Sequence, residues 1–96
     1  MILVKTPAFI KSAKSIIKNN SVMANELSQT LNQLSMDPFN PQLKTHKLKG
    51  NLAGSYACRV NFEIRIVFQI VNEKNPKGEN IEKILLEAVG THDNVY

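Results

Sequence analysis

Two alternating runs separated by a short polar stretch restrict the fold of this chain more than any other feature. Tyr56, Cys58 and Val60 recur at every second position, and Ile64, Ile66, Phe68 and Ile70 do the same after the break. A period of two is that of strands with one apolar face. Pairing the runs as a hairpin leaves a single parity: Val60 with Ile64, Cys58 with Ile66, Tyr56 with Phe68. A slip of one residue would turn one strand's apolar set to water. The loop is then Asn61 to Glu63, and Arg59 stands opposite Arg65 on the other face, about 5 Å apart at Cβ. Like charges so placed repel unless water screens them or an anion binds between their planar forks. Glu63, at the end of the loop, offsets part of the repulsion.

The rest of the chain supplies what this hairpin packs against. Ile2 to Val4 is short and β-prone. Thr6 before Pro7 is a helix start, since threonine caps free N–H groups and proline suits the first turn. Phe9, Ala13, Ile16 and Ile17 follow at helical spacing, with Lys11, Lys14 and Lys18 on the opposite stripe. This helix is expected to end near Asn19 and Asn20. A second, opening at Ser21, carries Met23, Leu27, Leu31 and Leu34 on one face and closes before Asp37 and Pro38. PFNPQ is an irregular connector, LKTHKLK reads as a strand too polar to be buried on both faces, and GNLAG is a loop. NEKNPKGEN is a polar turn, and IEKILLEAVG is a last strand, although its spacing also fits a helix. The expected class is α+β: an N-terminal strand, a two-helix hairpin, then antiparallel strands in a small curved sheet with the helices on one face.

Ninety-six residues suit one domain, 1–96, with one modest core. Any site then lies on the surface of that unit. Lysine and arginine number 12 against 8 acidic residues, a net charge of +4. The cations gather at Lys5, Lys11, Lys14 and Lys18, and again at Lys44, Lys47, Lys49, Arg59 and Arg65. Such charge suits a polyanion or an acidic protein partner, and equally a solvated surface. Cys58 has no partner for a disulfide and no metal-ligand spacing around it, so it reads as a small core residue. MILVKTPAF lacks the build of a secretory signal, and no apolar stretch is long enough to span a bilayer. A soluble cytoplasmic protein is expected, with no membrane contact.

Histidine, tyrosine, lysine and arginine occur in two places, around His46 and in the closing VGTHDNVY with His92 and Tyr96. These are the side chains needed to cleave RNA without a metal. A 2′-hydroxyl must lose a proton, the 5′-oxygen must gain one, and the added negative charge on phosphorus must be stabilised. Histidine serves either proton role because its pKa lies near neutrality. Spacing alone does not bring the two groups together.

The run HKLKGNLAGSYACRVNFEIRIVF and the terminal GTHDNVY resemble the RelE/ParE superfamily of bacterial toxins from type II toxin–antitoxin modules, nearest the RelE, YoeB and YafQ-like branches. The resemblance extends over nearly the whole chain. It implies a RelE-like fold and a ribosome-dependent mRNA interferase, an endoribonuclease that works without a cofactor and leaves a 2′,3′-cyclic phosphate. By the same resemblance Arg65 stabilises the scissile phosphate, with Arg59 beside it. His46 is a candidate general base and His92 the C-terminal histidine of the acid or base role. Tyr96 contacts the substrate, and Glu63 falls where YafQ-like members carry an acid. Lys44, Lys47 and Lys49 are expected to grip the RNA backbone as point charges. Implied partners are the ribosome, mRNA and a cognate antitoxin, acidic or amphipathic, in a hetero-oligomer. Two alternatives stay open: a ParE-like poison of DNA gyrase, and an inactive homologue that only binds antitoxin.

Overall fold

A computed structural model describes residues 1–96, the side chain of Asn94 excepted. The elements follow the sequence closely at the start: β1 (Ile2–Lys5), α1 (Pro7–Ile17) and α2 (Ser21–Met36). Thr6 caps α1 by accepting the Phe9 N–H at 3.1 Å. Its own hydroxyl and N–H donate to Leu86 O at 2.7 and 3.2 Å, so the same residue ties the helix start to the sheet. Between the helices Asn19 takes a φ of 54°, a left-handed turn that asparagine tolerates. The next residue, Asn20, caps α2 through the Met23 N–H at 3.0 Å.

β2 (His46–Lys47), β3 (Tyr56–Arg59), β4 (Ile64–Lys74) and β5 (Asn80–Thr91) complete a five-stranded sheet in the order β1-β5-β4-β3-β2. β1 joins β5 in parallel, and the other pairs are antiparallel. A last turn, α3 (His92–Val95), ends the chain. No helix among the described residues is long and apolar enough to cross a membrane.

The hairpin register is the one its parity demands: Tyr56 opposite Phe68, Cys58 opposite Ile66, Arg59 opposite Arg65. One expectation needs correction. LKTHKLK is not a full strand, since only His46 and Lys47 pair, with Ala57 and Tyr56. A 3-10 turn, Pro41–Leu43, buries Leu43 as an anchor, and Lys44 then adopts a φ of 50°, which breaks the extended run before it starts. GNLAG opens with a second 3-10 turn, Gly50–Leu52.

The core lies between the helices and one face of the sheet. Phe9, Met23, Leu27 and Leu34 from the helices meet Cys58, Ile64, Ile66, Phe68, Ile84, Leu86 and Val89 from β3, β4 and β5. Phe68, Ile66, Ile84 and Leu86 have no accessible surface, and each such side chain contributes about 2 kcal/mol by leaving water. Cys58 is among them, and burial pushes its thiol pKa up to about 12 from an ordinary 9.0. It stays a neutral core group.

Candidate active site

The sheet's second face is built differently. Alternation puts Ala57 and Val67 there, and neither belongs to the helix-side core although both are buried. The register sets one row straight across the strands: His46, Ala57, Val67, Ala88. The next row runs from Arg59 through Arg65 to Gly90. Small side chains and a glycine thus floor the centre, with long polar ones at the rim.

α3 follows β5 directly and carries the chain end back over this face. Tyr96 then meets His46, fifty positions away, with its hydroxyl 3.3 Å from Nε2. His46 Nδ1 lies 3.2 Å from the Lys44 carbonyl. A carbonyl only accepts, so Nδ1 carries the proton and Nε2 presents the lone pair to the Tyr96 hydroxyl. The left-handed backbone of Lys44 turns that carbonyl toward the ring. Lys44 therefore shapes the site through its main chain, while its side chain is exposed.

His92 packs on the other side of the same phenol, ring centroids 4.1 Å apart, against 6.3 Å for His46 and Tyr96. One tyrosine ring bridges the two imidazoles. The Tyr96 pKa is raised, first by burial, while the Arg65 guanidinium pulls it back down. The phenol is thus protonated at neutral pH and serves as a donor, and Arg65 is near enough for its charge to be felt.

Arg65 is itself held in place. Its Nη1 donates to the carbonyls of Asn61 at 2.6 Å and Ile64 at 3.1 Å. Asn61 organises this turn, its Oδ1 accepting from the N–H groups of Glu63 and Ile64, both at 2.9 Å. Its Nδ2 reaches Glu26 of α2 at 3.3 Å. A guanidinium braced through one nitrogen keeps its other donors for a ligand.

His46, His92, Tyr96 and Arg65 are therefore brought together, with Arg59 directly across the ladder from Arg65; no hydrogen bond or ion pair among the described residues joins Glu63 or the side chains of Lys44, Lys47 and Lys49 to them. Arg59 stands opposite Arg65, but with Glu26, Gln29, Thr30 and Gln33 of α2 it lines an open cleft toward the helices. Glu63 lies in the turn and borders a different cleft with Ile16, Asn20, Val22 and Met23. No hydrogen bond or ion pair among the described residues joins it to either arginine or to a histidine. Lys47 pairs with Tyr56, so alternation directs it away from the His46 face. Lys49 is exposed ahead of the second 3-10 turn.

Two residues of this face, Glu87 and Ser55, were not anticipated. Glu87 occupies a bulge between the Val67–Ala88 and Phe68–Leu86 pairs, and its Oε1 accepts the Ser55 hydroxyl at 2.6 Å. The sequence does carry the signal. Core positions in β5 are even at Ile84 and Leu86 and odd at Val89, so one residue must be looped out between them. Asn61 was legible too, as an asparagine opening a turn.

No group of histidine, cysteine, aspartate and glutamate suited to a metal ion occurs among the described residues. Among the described residues Asp93 is the one carboxylate within ion-pair range of His92, Nδ1 to Oδ1 3.7 Å, at an exposed position.

Comparison with known proteins agrees with this architecture. A family model described as the bacterial toxin of type II toxin–antitoxin system, YafQ, matches residues 1–96. A YoeB/ParE toxin from Agrobacterium tumefaciens superposes with a TM-score of 0.76 at 20% identity, covering 96% of this chain and 99% of that one. YafQ from E. coli gives 0.76 at 18% identity, covering 98% and 96%. The toxin of an E. coli DinJ–YafQ toxin–antitoxin complex gives 0.73 at 19%, covering 98% and 94%. At these identities the likeness to solved structures shows a shared fold. No curated protein sequence matches the chain.

Proposed function

The chain belongs to the YafQ family of bacterial type II toxin–antitoxin toxins, and from that premise we propose that it is a ribosome-dependent endoribonuclease that cuts mRNA. The observation that carries the reading is the convergence of His46, His92 and Tyr96 beside Arg65 on one sheet face, from segments far apart in sequence. A gyrase poison or a pure antitoxin-binding module has no need of two imidazoles on one phenol.

Each group has a role that its surroundings favour. His46, with Nδ1–H held by Lys44 O, offers Nε2 to take the proton from the 2′-hydroxyl. Substrate first displaces the Tyr96 hydroxyl from that nitrogen. The 2′-oxygen attacks phosphorus, the bond to the 5′-oxygen breaks, and a 2′,3′-cyclic phosphate remains. His92, exposed at the start of α3, is the group assigned to protonate the leaving 5′-oxygen. The free donors of Arg65 stabilise the charge gathering on the phosphate, supplying electrostatically what a metal would otherwise supply. Tyr96, neutral and partly exposed, contacts the RNA as donor or stacking surface. Arg59, Glu63, Lys44, Lys47 and Lys49 are assigned to the periphery, where the cations hold backbone phosphates or ribosomal RNA.

The resting partner is a cognate antitoxin, by analogy with the DinJ–YafQ assembly. An acidic or amphipathic segment laid over the basic face would cover His46 and the chain end, and its affinity falls with salt.

The test is end-labelled mRNA incubated with purified protein, with and without programmed ribosomes, followed by analysis of the new 3′ ends. Codon-phased cuts bearing cyclic phosphates, present only with ribosomes, are expected. Intact mRNA, together with inhibited supercoiling by DNA gyrase, would overturn the reading.

A further inference from the structure

Glu87 has the wrong charge for a phosphate yet is fixed in place on the face that carries His46. The bulge leaves it without a ladder partner, and bulges re-aim side chains beside active sites. Thr6 anchors that bulge from the start of α1, its hydroxyl donating to Leu86 O at 2.7 Å and lying 3.4 Å from Glu87 O. On the far side of the face Ser55, only 4% exposed, donates to Oε1 at 2.6 Å. The second oxygen, Oε2, makes no hydrogen bond, and no buried polar side-chain atom among the described residues lacks a partner. Oε2 therefore keeps some accessible surface on a half-buried residue.

Its distance from the reaction is set by the strands. Ser55, which directly precedes β3, lies two positions before Ala57, about 7 Å of extended chain, and Ala57 is paired with His46. A carboxylate held there reaches the nucleotide next to the one whose 2′-hydroxyl His46 addresses. Being an acceptor only, it repels the backbone and takes N–H donors. In single-stranded RNA those donors are on the Watson–Crick edges of splayed bases.

Building on the nuclease reading, we propose that Glu87 is a specificity-determining residue that accepts the amino group of one base of the codon, with Ser55 as its positioning residue. Guanine offers N1–H and N2–H₂, adenine N6–H₂ and cytosine N4–H₂, whereas uracil offers one N–H between two repelling carbonyl oxygens. The protein thus discriminates against uracil at one codon position.

The experiment maps cuts by wild type and Glu87→Gln on ribosomes programmed with mRNA randomised in the A-site codon. Wild type avoids uracil at one position, and Glu87→Gln, nearly identical in shape but with a donor in place of an acceptor, relaxes that bias roughly five- to hundredfold. Ser55→Ala, which frees Glu87 without removing it, weakens the same bias less. A wild type that cuts without bias against uracil overturns the proposal. So does a folded Glu87→Gln protein with an unchanged base profile, even one that cuts more slowly, because a purely structural carboxylate would lower rate or Tm and leave the profile alone. Wild type that does not cut at all tells against the nuclease itself, a distinct outcome.

Discussion

The two faces of the β-sheet obey different rules. The helix-facing side is filled mainly by apolar side chains whose positions follow from periodicity, with Thr30 buried among them on α2. The opposite side is floored by alanine and glycine and rimmed by histidine, arginine, glutamate and tyrosine. Local pattern governs the first; the second is completed by the C-terminal turn α3, which brings Tyr96 to His46. One face supplies rigidity and the other uses it, since Arg65 is aimed by a turn that α2 steadies through Glu26. A change on one face should therefore be read in stability, and a change on the other in activity.

Substitutions chosen in pairs can break that division. Phe68→Ala removes a fully buried ring and is expected to cost about 3–5 kcal/mol of stability, measured by urea unfolding. A loss under 1 kcal/mol would mean that the core is not where the strands place it. Arg65→Ala is the counterpart on the other face. Cutting should fall 10²–10³-fold, about 3 kcal/mol of transition-state stabilisation, by analogy with an oxyanion donor. Arg59→Ala, at a position that also borders the α2 cleft, should lower cutting by less, and equal losses would show that the two arginines act as a pair.

Tyr96→Phe removes only the hydroxyl on His46 and is expected to shift stability by about 1 kcal/mol or less, a net hydrogen bond at a partly exposed position. Its clearer readout is the His46 imidazole NMR signal, which should move because Nε2 loses its donor. An unmoved signal would mean that the two rings do not meet in solution.

A further expectation concerns pH. Cys58 has a folded-state pKa of about 12, above its ordinary 9.0, so the folded chain favours the neutral thiol. That contribution is complete below pH 9 and is lost as pH rises toward 12. Wild type should lose stability over that window more steeply than Cys58→Ala, as alkaline urea titrations would show. Parallel curves would place the thiol in water.

How much of this was legible in the sequence differs by face in the same way. The helices, the Thr6 cap and the hairpin register could be read because each rests on local spacing or on the parity of two adjacent runs. β2 could not be read at full length, since its end is set by the left-handed Lys44 and by burial of Leu43. His46, His92, Tyr96 and Arg65 were recognisable as candidates by side-chain type and by resemblance. Their meeting was not, because nothing local ties residue 46 to residue 96. Arg59 and Glu63 also border clefts against α2, Arg59 from the end of β3 beyond its pairing with β2 and Glu63 from the turn tip, surroundings that position in the hairpin does not show.

The most direct test of the site is His46→Ala beside wild type, assayed for cleavage of mRNA on programmed ribosomes with Tm measured on both. The expected result is loss of codon-phased cuts by 10²-fold or more with Tm nearly unchanged, since His46 is exposed and its removal leaves the core intact. Undiminished cutting by the folded variant would contradict the account and move the chemistry away from the face on which His46 and Tyr96 meet.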